Sequence, residues 1–156
     1  MAILEHINIV VKDIEATTTF LSVAFPQWKV RGQGVSDWYG YQRKWVHIGN
    51  DEQYITLNNG DGSQNRDLTG NTTGLAHIGF VVSDVDAITK RLLAHQYKLS
   101  TTGADHPYRK TVYFLDPSGF EFEFIEYLSS KPTEKNMYGG ETSQVKRYLT
   151  PIGSTL

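Results

Sequence analysis

His6 and His77 occupy the same place in two related stretches of the chain. Leu4-Glu5-His6-Ile7-Asn8-Ile9-Val10-Val11-Lys12-Asp13 returns, shifted by 71 residues (His6 to His77), as Leu75-Ala76-His77-Ile78-Gly79-Phe80-Val81-Val82-Ser83-Asp84. A third chemistry-bearing residue, Glu123, lies in the alternating run Glu121-Phe122-Glu123-Phe124 near the end of the second copy. Two imidazoles and one carboxylate make a competent divalent-metal site with positions left open for water or substrate. A cation held there acts as a Lewis acid or lowers the pKa of a coordinated water. A lone histidine on a strand is an ordinary structural residue. Two at repeat-equivalent positions, with an inward glutamate, point instead to a ligand set. The chain contains no cysteine, so disulfides, thiolate ligands and cysteine nucleophiles are excluded.

The elements that position these residues follow from periodicity. Residues 3–11 alternate and are rich in β-branched side chains, which predicts a strand. Asp13 is placed to cap a helix over Ile14–Phe25, which Pro26 ends. A short strand is expected at 27–30, then a loose, aromatic-bearing stretch that starts at Gly32 and Gly34. Trp45–Ile48 and Gln53–Leu57 read as a hairpin around Gly49-Asn50-Asp51. After a polar linker the order repeats. A strand is expected at 75–82, a helix to about His95 capped by Ser83 or Asp84, and a loose strand at 97–102. Strands at Thr111–Leu115 and Phe120–Tyr127 then flank the turn Asp116-Pro117-Ser118-Gly119. Internal repetition of this kind marks two copies of one supersecondary unit packed together.

Strand side chains alternate faces, so parity sorts the residues. Ile7, Ile9, Val46, Ile48, Ile55, Leu57, Ile78, Phe80, Val112, Phe114, Phe122 and Phe124 form a dry face to lie under the helices. The opposite face carries His6, Asn8, Trp45, His47, Tyr54, Thr56, Asn58, His77, Thr111, Tyr113, Glu121 and Glu123. A face with three histidines, two glutamates and aromatic walls describes a small-molecule site. Net charge is −2, which gives no electrostatic support for a nucleic-acid or anionic-membrane partner. No apolar run approaches 18 residues and no signal-peptide pattern opens the chain, so cytoplasmic residence is the expectation.

With two tandem βαβββ modules, a histidine on each first strand and the closing run Asp-Pro-Ser-Gly-Phe-Glu-Phe-Glu-Phe, residues 3–128 resemble the vicinal oxygen chelate superfamily. This is the group of glyoxalase I, bleomycin-resistance proteins, fosfomycin-resistance enzymes and extradiol dioxygenases. The resemblance implies an α+β fold in which module 1 (3–58) and module 2 (75–128), joined by linker 59–74, build an eight-stranded metal-binding cup. A polar C-terminal tail, 129–156, follows. It also implies one divalent metal ion (Zn, Ni, Co, Mn or Fe), a small-molecule substrate and a homodimer. The cup closes within one chain in some members and between chains in others. By position His6, His77 and Glu123 match the metal ligands.

The fourth ligand position of glyoxalase I, a glutamate, is Thr56 here, and a neutral hydroxyl cannot abstract a carbon-bound proton. Tyr113, ten residues before Glu123, matches a substrate-binding tyrosine of extradiol dioxygenases. The acid–base histidine of those enzymes falls near Gln53. Fosfomycin-resistance enzymes place a threonine where this chain has Asn8. The expected function is a metal-dependent enzyme acting on a small oxygenated substrate, as a lyase or isomerase, a dioxygenase or a transferase. Tyr113 and His47 are its candidates for proton transfer or hydrogen bonding, and Trp45, Tyr54, Thr56 and Asn8 line the substrate. A metal-free small-molecule binding protein of the bleomycin-resistance type is the alternative.

Overall fold

The computed structural model describes residues 2–138. The first module runs β1 (His6–Val11), α1 (Ile14–Ala24), β2 (Lys29–Trp38), β3 (Tyr41–Gly49) and β4 (Tyr54–Asn59). The second runs β5 (His77–Val81), α2 (Val85–Ala94), β6 (Lys98–Thr102), β7 (Arg109–Leu115) and β8 (Glu121–Tyr127), followed by a short α3 (Pro132–Lys135). The eight strands make two four-stranded sheets with matching orders, β1-β4-β3-β2 and β5-β8-β7-β6. In each, the first strand pairs in parallel with the last and the remaining pairs are antiparallel. The fold is α+β, two βαβββ modules in tandem.

Both helix starts follow the sequence signals. Asp13 accepts from the Ala16 amide at 3.0 Å and Asp84 from the Ala87 amide at 2.8 Å, each an N-cap carboxylate on an otherwise unpaired donor. The dry faces also form as parity requires. Ile48, Leu57, Phe114, Phe122 and Phe124 are wholly buried beside Phe20, Leu21 and Leu92 of the helices. Each such side chain contributes about 1.5–3 kcal/mol of burial.

The first hairpin departs from expectation. Instead of strands at 27–30 and 45–48 separated by a loose stretch, β2 and β3 run as one long ladder from Lys29↔Gly49 to Trp38↔Tyr41. Tyr39 and Gly40, with φ of 52° and 86°, make the two-residue turn that hairpins favour. Gly32 and Gly34 suggest a loop by composition, but here they are strand residues facing a large neighbour. A Cβ on Gly34 would come within 2.8 Å of the Trp45 indole. The strand omits side chains there because the indole lies across it. At the other boundaries β5 begins at His77 rather than residue 75, and β7 begins two residues early. The expected tail starts as residues 129–138 with α3; its remainder, 139–156, lies outside the described residues.

The two modules share one core. Phe20 of α1 packs on Phe122 and Tyr97, and Phe25 packs on Phe80 and Phe124. Arg91 of α2 donates to the carbonyls of Val23 (3.1 Å) and Ala24 (2.9 Å), closing the C-terminal end of α1 with a positive charge. Because both dry faces close on this core, both polar faces are left on the surface of the chain.

Candidate metal and substrate site

On the second sheet three side chains meet. Tyr113 and Glu123 are direct cross-strand partners on β7 and β8, and β5 lies on the other side of Glu123. Tyr113 donates its hydroxyl to Glu123 Oε1 at 2.7 Å. The other carboxylate oxygen, Oε2, stands 3.2 Å from His77 Nε2. Gly79 makes this possible, since even a methyl group there would sit 3.2 Å from that oxygen. Burial first, and then the bond to Glu123, push the Tyr113 phenol up to about 12. It therefore stays protonated and serves as a fixed donor to the carboxylate. The neighbouring Glu121 accepts from Ser100 at 2.5 Å.

On the first sheet the polar face is a ladder of rings. His6 stacks on Tyr54 (4.8 Å, 14°), Tyr54 leans on His47 (4.9 Å), and His47 on Trp45 (4.8 Å). The Arg31 guanidinium covers Tyr54 at 4.4 Å. Thr56 is the cross-strand neighbour of both Asn8 and His47 and is buried. Asn58 donates to Asn8 at 2.6 Å. Burial first, and then the neighbouring His6 and the Arg31 guanidinium, lower the pKa of His47, which favours its neutral imidazole. His6 Nδ1 is 3.0 Å from Glu5.

The structure thus brings His77, Glu123 and Tyr113 together on one sheet, and His6, Tyr54, His47 and Trp45 together on the other. It does not bring His6 to His77 and Glu123 as a ligand group. Among the described residues no set of three or more histidine, aspartate or glutamate side chains is placed to hold a metal. His6 and His77 do border the same cleft between β1 and β5, about 430 Å³ in volume, with Leu4, Trp28, Gln53 and Phe80. The donor set fits a divalent ion in part. Imidazole nitrogen and carboxylate oxygen each bind such an ion at about 2.0–2.2 Å, which places neighbouring donors roughly 3 Å apart. His77 and Glu123 already have that spacing, and Tyr113 supplies the hydrogen bond that fixes the carboxylate.

Sequence reasoning passed over two features. Arg31 falls between the short strand expected at 27–30 and the loose stretch expected from Gly32, although the alternation Gly32-x-Gly34 is a signal for a continuing strand. Asp116 reads from the sequence only as a turn residue, yet it is buried and bound by Thr17. The remaining histidines are structural. His95 lies at the end of α2 with Nδ1 2.9 Å from the Arg91 carbonyl. His106 accepts from the Tyr108 amide and donates to the Met137 carbonyl, pinning the segment after α3.

Comparison with known proteins agrees with this architecture. The family model of the glyoxalase/bleomycin resistance protein/dioxygenase superfamily matches residues 3–124. Among curated proteins none matches the sequence. The solved glyoxylase/bleomycin resistance protein/dioxygenase domain from Frankia sp. EAN1pec is 20% identical, with 81% of this chain and 98% of that one covered and a TM-score of 0.66. A glyoxalase family protein from Bacillus cereus is 16% identical over 83% of this chain and 96% of that one, with a TM-score of 0.67. The fosfomycin resistance protein FosX from Listeria monocytogenes, solved with Mn(II) and sulfate, is 24% identical over 86% and 98%, with a TM-score of 0.62. The chain belongs to the glyoxalase/bleomycin resistance protein/dioxygenase superfamily.

Proposed function

We propose that this protein is a divalent-metal-dependent enzyme acting on a small oxygenated substrate, with a site completed when two copies associate. The observation that carries the reading is the His77–Glu123 pair, 3.2 Å apart and fixed from behind by Tyr113. It offers two ligands on an open sheet face and lacks a third. His6, on the equivalent strand of the other module, is that third ligand, supplied by His6 of the partner subunit. The edges support this arrangement. β1 and β5 are both edge strands, and Leu4, Val10, Leu75 and Val81, on or beside them, are exposed. Unpaired apolar edges of this kind are normally covered. The FosX structure with Mn(II) supports a divalent ion in this fold.

A bound ion would supply Lewis acidity to two neighbouring oxygens of the substrate. The chain's own residues supply the rest. Tyr113 holds the Glu123 carboxylate in one orientation. His47, across from Thr56 and neutral, is the group that takes a proton from the substrate. Trp45 and Tyr54 wall the site, and the Asn8–Asn58 pair offers it amide hydrogen bonds.

Metal content of freshly purified protein, measured by plasma mass spectrometry before chelation and after reloading with Zn, Ni, Co, Mn and Fe(II), tests the reading. About one ion per chain is expected, and His77→Ala should lose it with an unchanged far-UV CD spectrum. Failure to take up any of these metals overturns it.

A further inference from the structure

We infer that the polar face of the first sheet recognises a planar aromatic anion, with its ring laid on the Trp45 indole and its negative group on the Arg31 guanidinium. The inference names the substrate class for the site proposed above and rests on that site's location, but this recognition needs no metal.

Two local distortions of β2 carry it. The first is the pair of glycines under Trp45. The nearest atoms to a Cβ on Gly32 or Gly34 are all indole carbons or the indole nitrogen, at 2.8–3.8 Å. The indole therefore lies flat along the floor of the sheet instead of standing on edge. One ring face rests on backbone, His47 leans against its side, and the residue is only half-buried. A ring laid down in this way presents its other face as a stacking surface.

The second distortion is the bulge between Val30 and Gly32, which leaves Arg31 without a ladder partner. In a regular strand Arg31 would point opposite to Gly32, toward the dry face. The bulge re-aims it over Tyr54, at 4.4 Å, on the polar face. There the guanidinium makes no ion pair and no hydrogen bond among the described residues; the nearby Glu5 carboxylate is turned to His6. A guanidinium stacked on a ring keeps its edge of N–H donors open, and that edge matches a carboxylate or phosphate group. Trp45, His47, Tyr54 and Arg31 follow one another along this face at 4.8, 4.9 and 4.4 Å, so a ring laid on Trp45 has the Arg31 cation on the same surface.

The test is calorimetric titration of the full chain, stripped of metal by chelation, with benzoate and 1-naphthoate. Cyclohexanecarboxylate keeps the charge without the π face, and 1-naphthalenemethanol keeps the ring without the charge. Each control should bind at least tenfold more weakly than 1-naphthoate. Arg31→Gln should weaken naphthoate at least tenfold and leave the alcohol unchanged. Gly34→Ala should weaken both aromatic ligands, because its methyl displaces the indole without deleting it. Affinity unchanged across wild type, Arg31→Gln and Gly34→Ala, or no binding of either acid, overturns the inference. Metal uptake, measured separately, divides the two readings. A chain that loads metal but ignores aromatic acids sinks this inference alone, and one that binds them without ever loading metal sinks the metal reading and leaves this one standing.

Discussion

Thr17 of α1 donates its hydroxyl to Asp116 Oδ2 at 2.5 Å across 99 residues of sequence, joining the helix of the first module to the last turn of the second. The same carboxylate accepts from the Ser118 and Phe120 amides, at 3.0 and 2.7 Å through Oδ1, and the Ser118 hydroxyl accepts from the Lys12 amide. Thr17 is fully buried. Thr17→Val removes the donor and leaves the shape, so a buried carboxylate oxygen loses its partner. The expected loss is about 1–3 kcal/mol of unfolding free energy, read as a lower urea midpoint at unchanged slope. An unchanged midpoint would mean that water replaces the hydroxyl.

Asp116 also sets a pH dependence. Burial outweighs its three hydrogen-bonding residues, so its pKa is raised on folding. A raised carboxyl binds its proton more tightly in the folded state. Its stabilising contribution is complete below the ordinary aspartate range and is lost as pH rises through the folded value. Asp116→Asn keeps the acceptor for the two amides and removes the ionisation. Melting temperatures of both proteins should therefore differ most in favour of the variant near pH 7, with the difference shrinking as pH falls through the folded value and gone below the ordinary aspartate range, about 4. A difference independent of pH would show that Asp116 does not titrate in this way.

Tyr113→Phe tests whether the phenol orients Glu123. The ring stays and only the donor to Oε1 is lost. Metal affinity should fall about 10–100-fold, the usual effect of removing a partner that orients a ligand, while the fold is kept. Competition with a chelating dye measures it. Equal affinity would leave Tyr113 a wall residue.

Apart from β2 and the start of β3, the strands, both helix caps and the division into a dry and a polar face were legible because each is local, resting on alternation, a capping carboxylate and period. His77, Glu123 and Tyr113 could be placed on one face by parity alone. What the sequence hid depends on contacts at a distance. Gly32 and Gly34 look like loop residues until Trp45 is known to lie on them. Arg31 points to the dry side until the bulge turns it. Thr17 is an unremarkable helix threonine until Asp116 meets it. The separation of His6 from the other two proposed ligands was equally hidden, because a repeat fixes equivalence between modules but not which surfaces of the modules meet.

That separation yields the most discriminating prediction. If the metal site joins His6 of one copy to His77 and Glu123 of another, His6→Ala and His77→Ala proteins should each fail to load metal. In a heterodimer of the two variants, one site lacks both histidines and the other is intact, because each chain contributes its undamaged half to the same site. Co-expression with two different affinity tags isolates that heterodimer, and it should hold about one metal ion per dimer. A site closed within a single chain would leave every copy one histidine short, and the heterodimer would load none. The wild-type dimer, loaded in parallel, should hold two. A heterodimer that stays empty while the wild type loads would place the three ligands within one chain and require the two modules to repack.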